Sequence, residues 1–266
     1  MKAALHTELA GALKLLRMPT ITSCYQEEAD AARRDSLTHE RYLLEVVRRE
    51  SEQRRIGRIK RFLAQSRLPQ EKTMDSFDRS RLPLKVNQQV EVLMEGCFLD
   101  RCENVLAFGN PGSGKTHLLA AIALELIQQG RRVLFRPCSL LVQELLVAKR
   151  DLELPRILNR LSKFEAIIID DIGYVQQSRE EMEVLFTLLA ERYERGSVML
   201  SSNLPFSKWE QIFKDPMTTA AAIDRLFHHS IILELNLTSY RLEASKTKTD
   251  NPVKTPSKSQ TTNKNG

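Results

Sequence analysis

The sequence predicts an α/β fold: a parallel sheet flanked by helices, preceded by a small all-helical N-terminal unit. Three observations carry this expectation. From Asn104 onward, short apolar runs alternate with stretches of helical periodicity, the pattern of parallel strands joined by crossover helices. One of those runs leads straight into "GNPGSGKT", residues 109–116, ahead of a long amphipathic stretch. Before about residue 68 the chain is charged, with apolar residues at helical spacing.

The elements follow in order. In "LTHERYLLEVVRRESEQRRIGRIKRFLAQSRLP", Leu43, Leu44, Val47, Ile56, Ile59 and Phe62 recur at roughly helical spacing. Arg48, Arg49, Arg54, Arg55, Arg58, Lys60 and Arg61 take the polar face, opposed by Glu50 and Glu52. Such a face is either solvated surface on a bundle helix or a set of phosphate contacts, and both readings stand. Pro69 ends the region, so 1–68 is read as a helical domain and 69–84, "QEKTMDSFDRSRLP" included, as a linker and lead-in. Helix is expected again from Lys85 to Phe98. Then come strands "NVLAF", "RVLFR", "AIIID", "SVMLSS" and "SIILEL". Helices are expected from the loop to about Gln129, with Gly130 as terminator, and over 139–150, 178–194 and 220–227. These make 85–245 the main α/β domain. The tail 246–266, basic and poor in apolar residues, is expected to be disordered.

Composition narrows the function. With 266 residues there is room for one substantial domain and a smaller one, and 42% hydrophobic content fills a core. A net charge of +6 suits an acidic partner such as nucleic acid, although many basic proteins bind none. Cys24, Cys97, Cys102 and Cys138 are scattered and complete no zinc set, as expected of free thiols in a reducing cytosol. The N-terminus is too polar for a secretory signal, and no apolar run approaches the ~20 residues of a membrane span. The expectation is a soluble cytoplasmic protein with no membrane partner.

The chemistry centres on residues 109–116. Gly109, Gly112 and Gly114 let the backbone turn its N–H groups inward, along a loop that also contains Asn110, Pro111 and Ser113. Lys115 can reach the β- and γ-phosphates of a nucleotide, the Thr116 hydroxyl can ligate Mg²⁺, and the following helix, with His117 in its first turn, aims its positive end at the phosphates. "AIIIDD" ends a buried strand with two carboxylates. Asp170 is placed to hold the Mg²⁺ through water and Asp171 to orient or activate the attacking water. Asn203, closing "SSN" on the next strand, is placed beside Asp170 as a polar sensor, or simply starts a turn before Pro205. Arg225 in "AIDRLFHHS" and Arg241 in "TSYR" could reach a neighbour's γ-phosphate, or be surface arginines; Asp224 offers Arg225 a salt bridge.

Taken together, "GNPGSGKTHL", "IIIDDIGYV", "LFTLLAERYERGSVMLSSNLPFSKW", "AIDRL" and "SYR" resemble the IstB-like ATPases, transposition helpers encoded beside a transposase in bacterial insertion sequences. The resemblance covers about residues 5–243. It implies an AAA+ P-loop core, related to helicase loaders of the DnaC and DnaI type. It further implies binding of ATP with Mg²⁺, self-assembly as a ring or helical filament on duplex DNA, deformation of that DNA, and recruitment of a cognate transposase. By the same resemblance Arg225 matches an arginine finger and Arg241 a second sensor. Phe77 in "MDSFD" resembles a residue packing near the adenine, a role that a plain core phenylalanine would mimic. The chain departs from the family's pattern in having Asp171 where Glu is more frequent, Ser201 in place of Thr, and no Gly before "SYR". A carboxylate one methylene shorter implies slower or assembly-dependent water activation.

A DnaC-like replicative helicase loader is the alternative within this resemblance. Loaders of the DnaI type tend to carry an N-terminal zinc site, for which Cys24 and His39 are insufficient. A small nucleotide kinase would leave Asn203, Arg225 and Arg241 without a purpose.

Overall fold

The computed structural model describes residues 2–172, 178–204, 209, 226–237 and 239–240. Three helices open the chain: α1 (Lys2–Leu15), α2 (Pro19–Arg34) and α3 (His39–Ser66). The Thr38 side chain caps α3 by accepting from the Arg41 N–H. Arg67 at φ 56° terminates it, two residues before Pro69. Glu50 of α3 is buried and accepts the Thr20 and Ile21 N–H groups at 2.9 and 3.1 Å, placing a carboxylate on the positive end of α2. Burial pushes the Glu50 carboxyl up, but the hydrogen bonds from Arg54, Ile21 and Thr20 outweigh it and hold the group below the usual carboxylate range.

Two different partners divide α3. Val46 joins Leu13, Ile21, Cys24 and Tyr25 in a small cluster, whereas Ile59, Phe62 and Leu63 pack on the main core. The apolar stripe read from the sequence is therefore interrupted: Leu43, Leu44, Val47 and Ile56 are exposed. α2 covers the side of α3 that carries Val46 and Glu50, rather than the face with the higher apolar count.

After a 3₁₀ turn (Arg79–Arg81) come α4 (Leu84–Met94) and α5 (Cys97–Asp100), where one continuous helix was expected. Gly96, at φ 81°, breaks it. The remaining elements are β1 (Asn104–Gly109), α6 (Lys115–Gln128), β2 (Val133–Pro137), α7 (Cys138–Arg150), α8 (Leu154–Leu161), β3 (Ala166–Ile172), α9 (Arg179–Arg192), β4 (Ser197–Ser202) and β5 (Ser230–Leu235). α8 was not anticipated; it has only eight residues, with Pro155 in its first turn. Of the helix expected over 220–227 only the last two residues are among those described, and the tail from 246 lies outside them.

All five strands are parallel, in the order β2-β3-β4-β1-β5. One face of the sheet packs on α4 and α6 and the other on α7 and α9, each over its own apolar cluster. The order brings the C-terminal ends of β3, β4 and β1 together on one edge, so the phosphate loop, Asn203 and the Asp170–Asp171 pair share a rim. None of the four cysteines is in a disulfide. No described helix is long and apolar enough to cross a membrane.

Arg192, at the end of α9, is buried and carries the opposite end of the sheet. Its guanidinium donates to the carbonyls of Leu161, Phe164, Glu165 and Ser197 at 2.9–3.3 Å. Burial lowers its pKa to about 10, so it remains charged at neutral pH. Arg192→Leu leaves those carbonyls without their donor and is expected to cost about 3 kcal/mol or more. That corresponds to a fall of roughly 6–12 °C in the midpoint of a thermal unfolding scan. A shift within two degrees of the parent would show that water replaces the guanidinium at little cost.

Candidate functional site

The loop after β1 is built by its glycines. Gly112 at φ 78° and Gly114 at φ 96° adopt left-handed backbone that a side chain would strain. Gly114 is also closely covered: a Cβ there would meet the Phe77 ring at 3.0 Å. The Ser113 hydroxyl is buried and has no partner among the described residues. The first turn of α6 opens onto the loop, offering N–H groups and the positive end of the helix dipole to an anion.

Two hydrogen-bond chains converge on this loop. In the first, Lys115 Nζ donates to the Gly109 and Asn110 carbonyls at 2.8 and 2.9 Å and to Asn203 Oδ1 at 2.6 Å. Asn203 Nδ2 in turn donates to Asp171 Oδ1 at 2.8 Å. In the second, the Thr116 hydroxyl donates to Asp170 Oδ1 at 2.8 Å, and the Ser201 hydroxyl donates to the same oxygen at 2.6 Å. Ser201 Oγ also accepts the Asp171 N–H at 2.8 Å.

The backbone explains how two adjacent aspartates serve separate chains. The β3–β4 register shifts between Ile169 and Ile172, a bulge that falls on Asp170 and Asp171. Asp171 sits there at φ 65°, a conformation aspartate tolerates better than most residues. Asp170 stays half-buried behind Thr116, while Asp171 is exposed to the cleft. Ser201 pins the bulge from β4. Sequence reasoning treated that position only as a departure from threonine; its signal was a hydroxyl at a strand end, level with the carboxylates.

Lys115, Thr116, Asp171, Ser201 and Asn203 line a cleft of about 390 Å³, within the usual range of small-molecule sites, with Asp170 behind Thr116. The lead-in forms its opposite wall with Lys72, Ser76, Phe77, Asp78 and Arg81, none but Phe77 anticipated. His117 holds that wall in place: its Nε2 lies 3.1 Å from Ser76 Oγ and 3.0 Å from the Thr73 carbonyl, and the Phe77 ring meets it edge-on at 5.2 Å. The Tyr240 N–H donates to the Gly112 carbonyl at 3.0 Å, so the "SYR" segment reaches the loop. Arg225 and Arg241 themselves lie outside the described residues.

The basic face of α3 is more neutralised than the sequence suggested. Arg54 and Arg55 pair with Glu50 and Glu52, as read. In addition Arg48 pairs with Glu45, and Arg49 with Glu28 of α2. Arg61 lies 5.9 Å from the Phe62 ring centroid, and Arg58 and Lys60 are exposed without an ion-pair partner among the described residues.

The geometry agrees with the sequence comparisons. The family model described as IstB-like ATP binding protein matches residues 11–248. The chain belongs to the IstB-like ATP-binding proteins. An insertion-sequence ATP-binding protein of Sinorhizobium fredii is 43% identical over 227 residues, covering 85% of this chain and 76% of the relative. The IS21 ATP-binding protein of Pseudomonas aeruginosa is 36% identical, with 89% of each chain covered. Among solved structures, a DnaI structure superposes with a TM-score of 0.54 at 22% identity, over 65% of this chain and 96% of that one. DnaA of Aquifex aeolicus gives 0.53 at 17% identity, over 72% and 58%. These likenesses establish the AAA+ fold. Like its IstB-like relatives, the chain is an ATP-binding protein with a helical N-terminal segment.

Proposed function

We propose that this IstB-like protein is an ATP-hydrolysing transposition helper. It binds ATP in the cleft, assembles on duplex DNA, deforms it, and recruits and stimulates a transposase. The observation that carries the reading is the convergence of Lys115, Asn203 and Asp171 in one hydrogen-bond chain beside Thr116 and Asp170 in another. A strand-end Asn and two carboxylates at the rim of a phosphate loop are the groups that nucleotide hydrolysis requires.

The donor set fits the substrate and its ion. The loop offers inward N–H groups and a Ser113 hydroxyl with no partner among the described residues for phosphate oxygens, and Thr116 with Asp170 forms an all-oxygen pair suited to Mg²⁺. Thr116 and Asp170 would hold Mg²⁺, which would supply positive charge to offset the charge of the phosphates. Lys115 turns part of its hydrogen bonding from the loop carbonyls to phosphate oxygens. Asn203, released from Lys115, senses the γ-phosphate and holds Asp171. Asp171 then orients a water toward phosphorus, its bulged position offsetting the methylene it lacks relative to Glu.

ATP lies between adjacent protomers in this scheme, with Arg225 reaching it from the neighbour. Arg225→Ala is accordingly expected to leave ATP affinity of the single chain unchanged and to lower hydrolysis at least a thousandfold, the scale of arginine-finger effects of roughly 10³–10⁵. Steady-state phosphate release beside nucleotide titration tests this, and hydrolysis at the parent rate would remove Arg225 from the role. DNA contacts are made by phosphate-directed cations, for which Arg58, Lys60 and Arg61 are the least encumbered residues on α3. Arg48 and Arg55, paired at the surface with Glu45 and Glu52, can exchange carboxylates for phosphates, because surface pairs are worth only about 0–1 kcal/mol; Arg49 and Arg54 are less available, held by the more buried Glu28 and Glu50. A helicase loader shares the fold; the transposition reading is preferred because the sequence relatives are insertion-sequence proteins.

A further inference from the structure

We propose that Glu194, His228 and His229 form a binding site for a divalent ion of the zinc class, at the end of the sheet opposite the nucleotide cleft. One ligand atom from each residue lies within 4.8 Å of the other two, and all three side chains are exposed, so an ion can enter. Two imidazoles and a carboxylate form a zinc-type donor set that leaves a coordination position for water. They discriminate against Mg²⁺, which prefers oxygen ligands throughout.

The fold holds these residues together although they are over thirty positions apart in sequence. Glu194 lies in the loop leading into β4, and the histidines form the turn leading into β5. β1 runs between those strands, and its first residue, Asn104, braces both loops. Asn104 Oδ1 accepts the Val198 N–H at 2.8 Å, Nδ2 donates to the Leu226 carbonyl at 3.1 Å, and the backbone N–H donates to the His229 carbonyl at 2.7 Å. Glu194 is held at φ 55°, a left-handed conformation unusual for glutamate. The His228 and His229 ring centroids are 4.1 Å apart. The Tyr193 hydroxyl lies 3.2 Å from His228 Nδ1; accepting from Nδ1–H, it would act as an outer-shell partner that orients the ring with Nε2 left for the ion. The site stands about 16 Å from the phosphate loop, the length of β1 at the usual strand rise. Metal and nucleotide binding are therefore separable. A bound ion ties the loops before β4 and β5 across β1 and stabilises the folded chain by linkage.

The test uses the full chain, untagged and stripped with a chelator, titrated with Zn²⁺ by calorimetry and with Co²⁺ by visible absorption. The parent is expected to bind one Zn²⁺ per chain, to show a Co²⁺ ligand-field band, and to gain thermal stability with Zn²⁺. His228→Ala and His229→Ala should each weaken Zn²⁺ binding at least about tenfold, with Tyr193→Phe weaker by a similar factor. The double histidine variant should lose the band and the thermal gain while binding ATP as the parent does. If the double variant does not fold, Glu194→Gln, isosteric and exposed, carries the test through the same loss of Zn²⁺ affinity. Zn²⁺ binding by the folded variants at parent strength, or no Co²⁺ band in the parent at millimolar metal, would overturn the proposal.

Discussion

Lys115→Ala is expected to weaken ATP binding by roughly a hundredfold or more, since two charge-assisted hydrogen bonds of about 1.5 kcal/mol each are at stake. The ammonium is buried and its three donors are directed at Gly109, Asn110 and Asn203, so it is already positioned at the mouth of the loop. Its removal takes away the one cation within the loop and also unties Asn203 from β1. The fold should survive, because the loop's shape rests on glycine dihedrals and on α6 rather than on this side chain. Titration with a fluorescent ATP analogue, paired with a thermal scan, separates the two effects. Affinity within a few-fold of the parent would mean that the loop is not where phosphates are held.

Asp170→Asn is expected to preserve ATP binding and to reduce hydrolysis by at least about a hundredfold, the equivalent of some 3 kcal/mol of lost transition-state stabilisation. Thr116 and Ser201 both donate to the same oxygen of Asp170. An asparagine can keep an acceptor oxygen toward both hydroxyls, so structure is retained while the negative charge is lost. The variant should therefore accumulate in the ATP-bound state and prolong assembly on DNA. Single-turnover hydrolysis with parallel nucleotide titration is the measurement. Equal losses of binding and turnover would show that Asp170 supports the loop and has no separate role in turnover.

Much of this site was legible because its signals are local. A strand followed by glycines, lysine and threonine fixes a loop geometry whatever surrounds it, and an apolar run ending in two aspartates marks a strand end. What escaped the sequence depends on neighbours that local reasoning does not see. The bulge at Asp170–Asp171 arises from the register with β4 and the Ser201 hydroxyl, thirty residues away. Arg192 looks like any surface charge until the carbonyls of four other residues surround it. The basic stripe of α3 gave no hint of Glu28, which comes from α2. The lead-in looked like a linker because its polar residues face a cleft that only the folded loop creates. Gly96 showed only as one glycine in a helical pattern, yet its φ divides α4 from α5.

The central claim is that ATP drives assembly on duplex DNA. It is tested most directly by duplex binding with ATP, with ADP and without nucleotide, at two salt concentrations, with particle size followed in parallel. The account predicts binding with ATP alone, into large assemblies, weakening steeply as salt rises because many phosphates are contacted at once. Absence of duplex binding under every nucleotide condition would contradict it and direct attention to single-stranded DNA and a helicase partner.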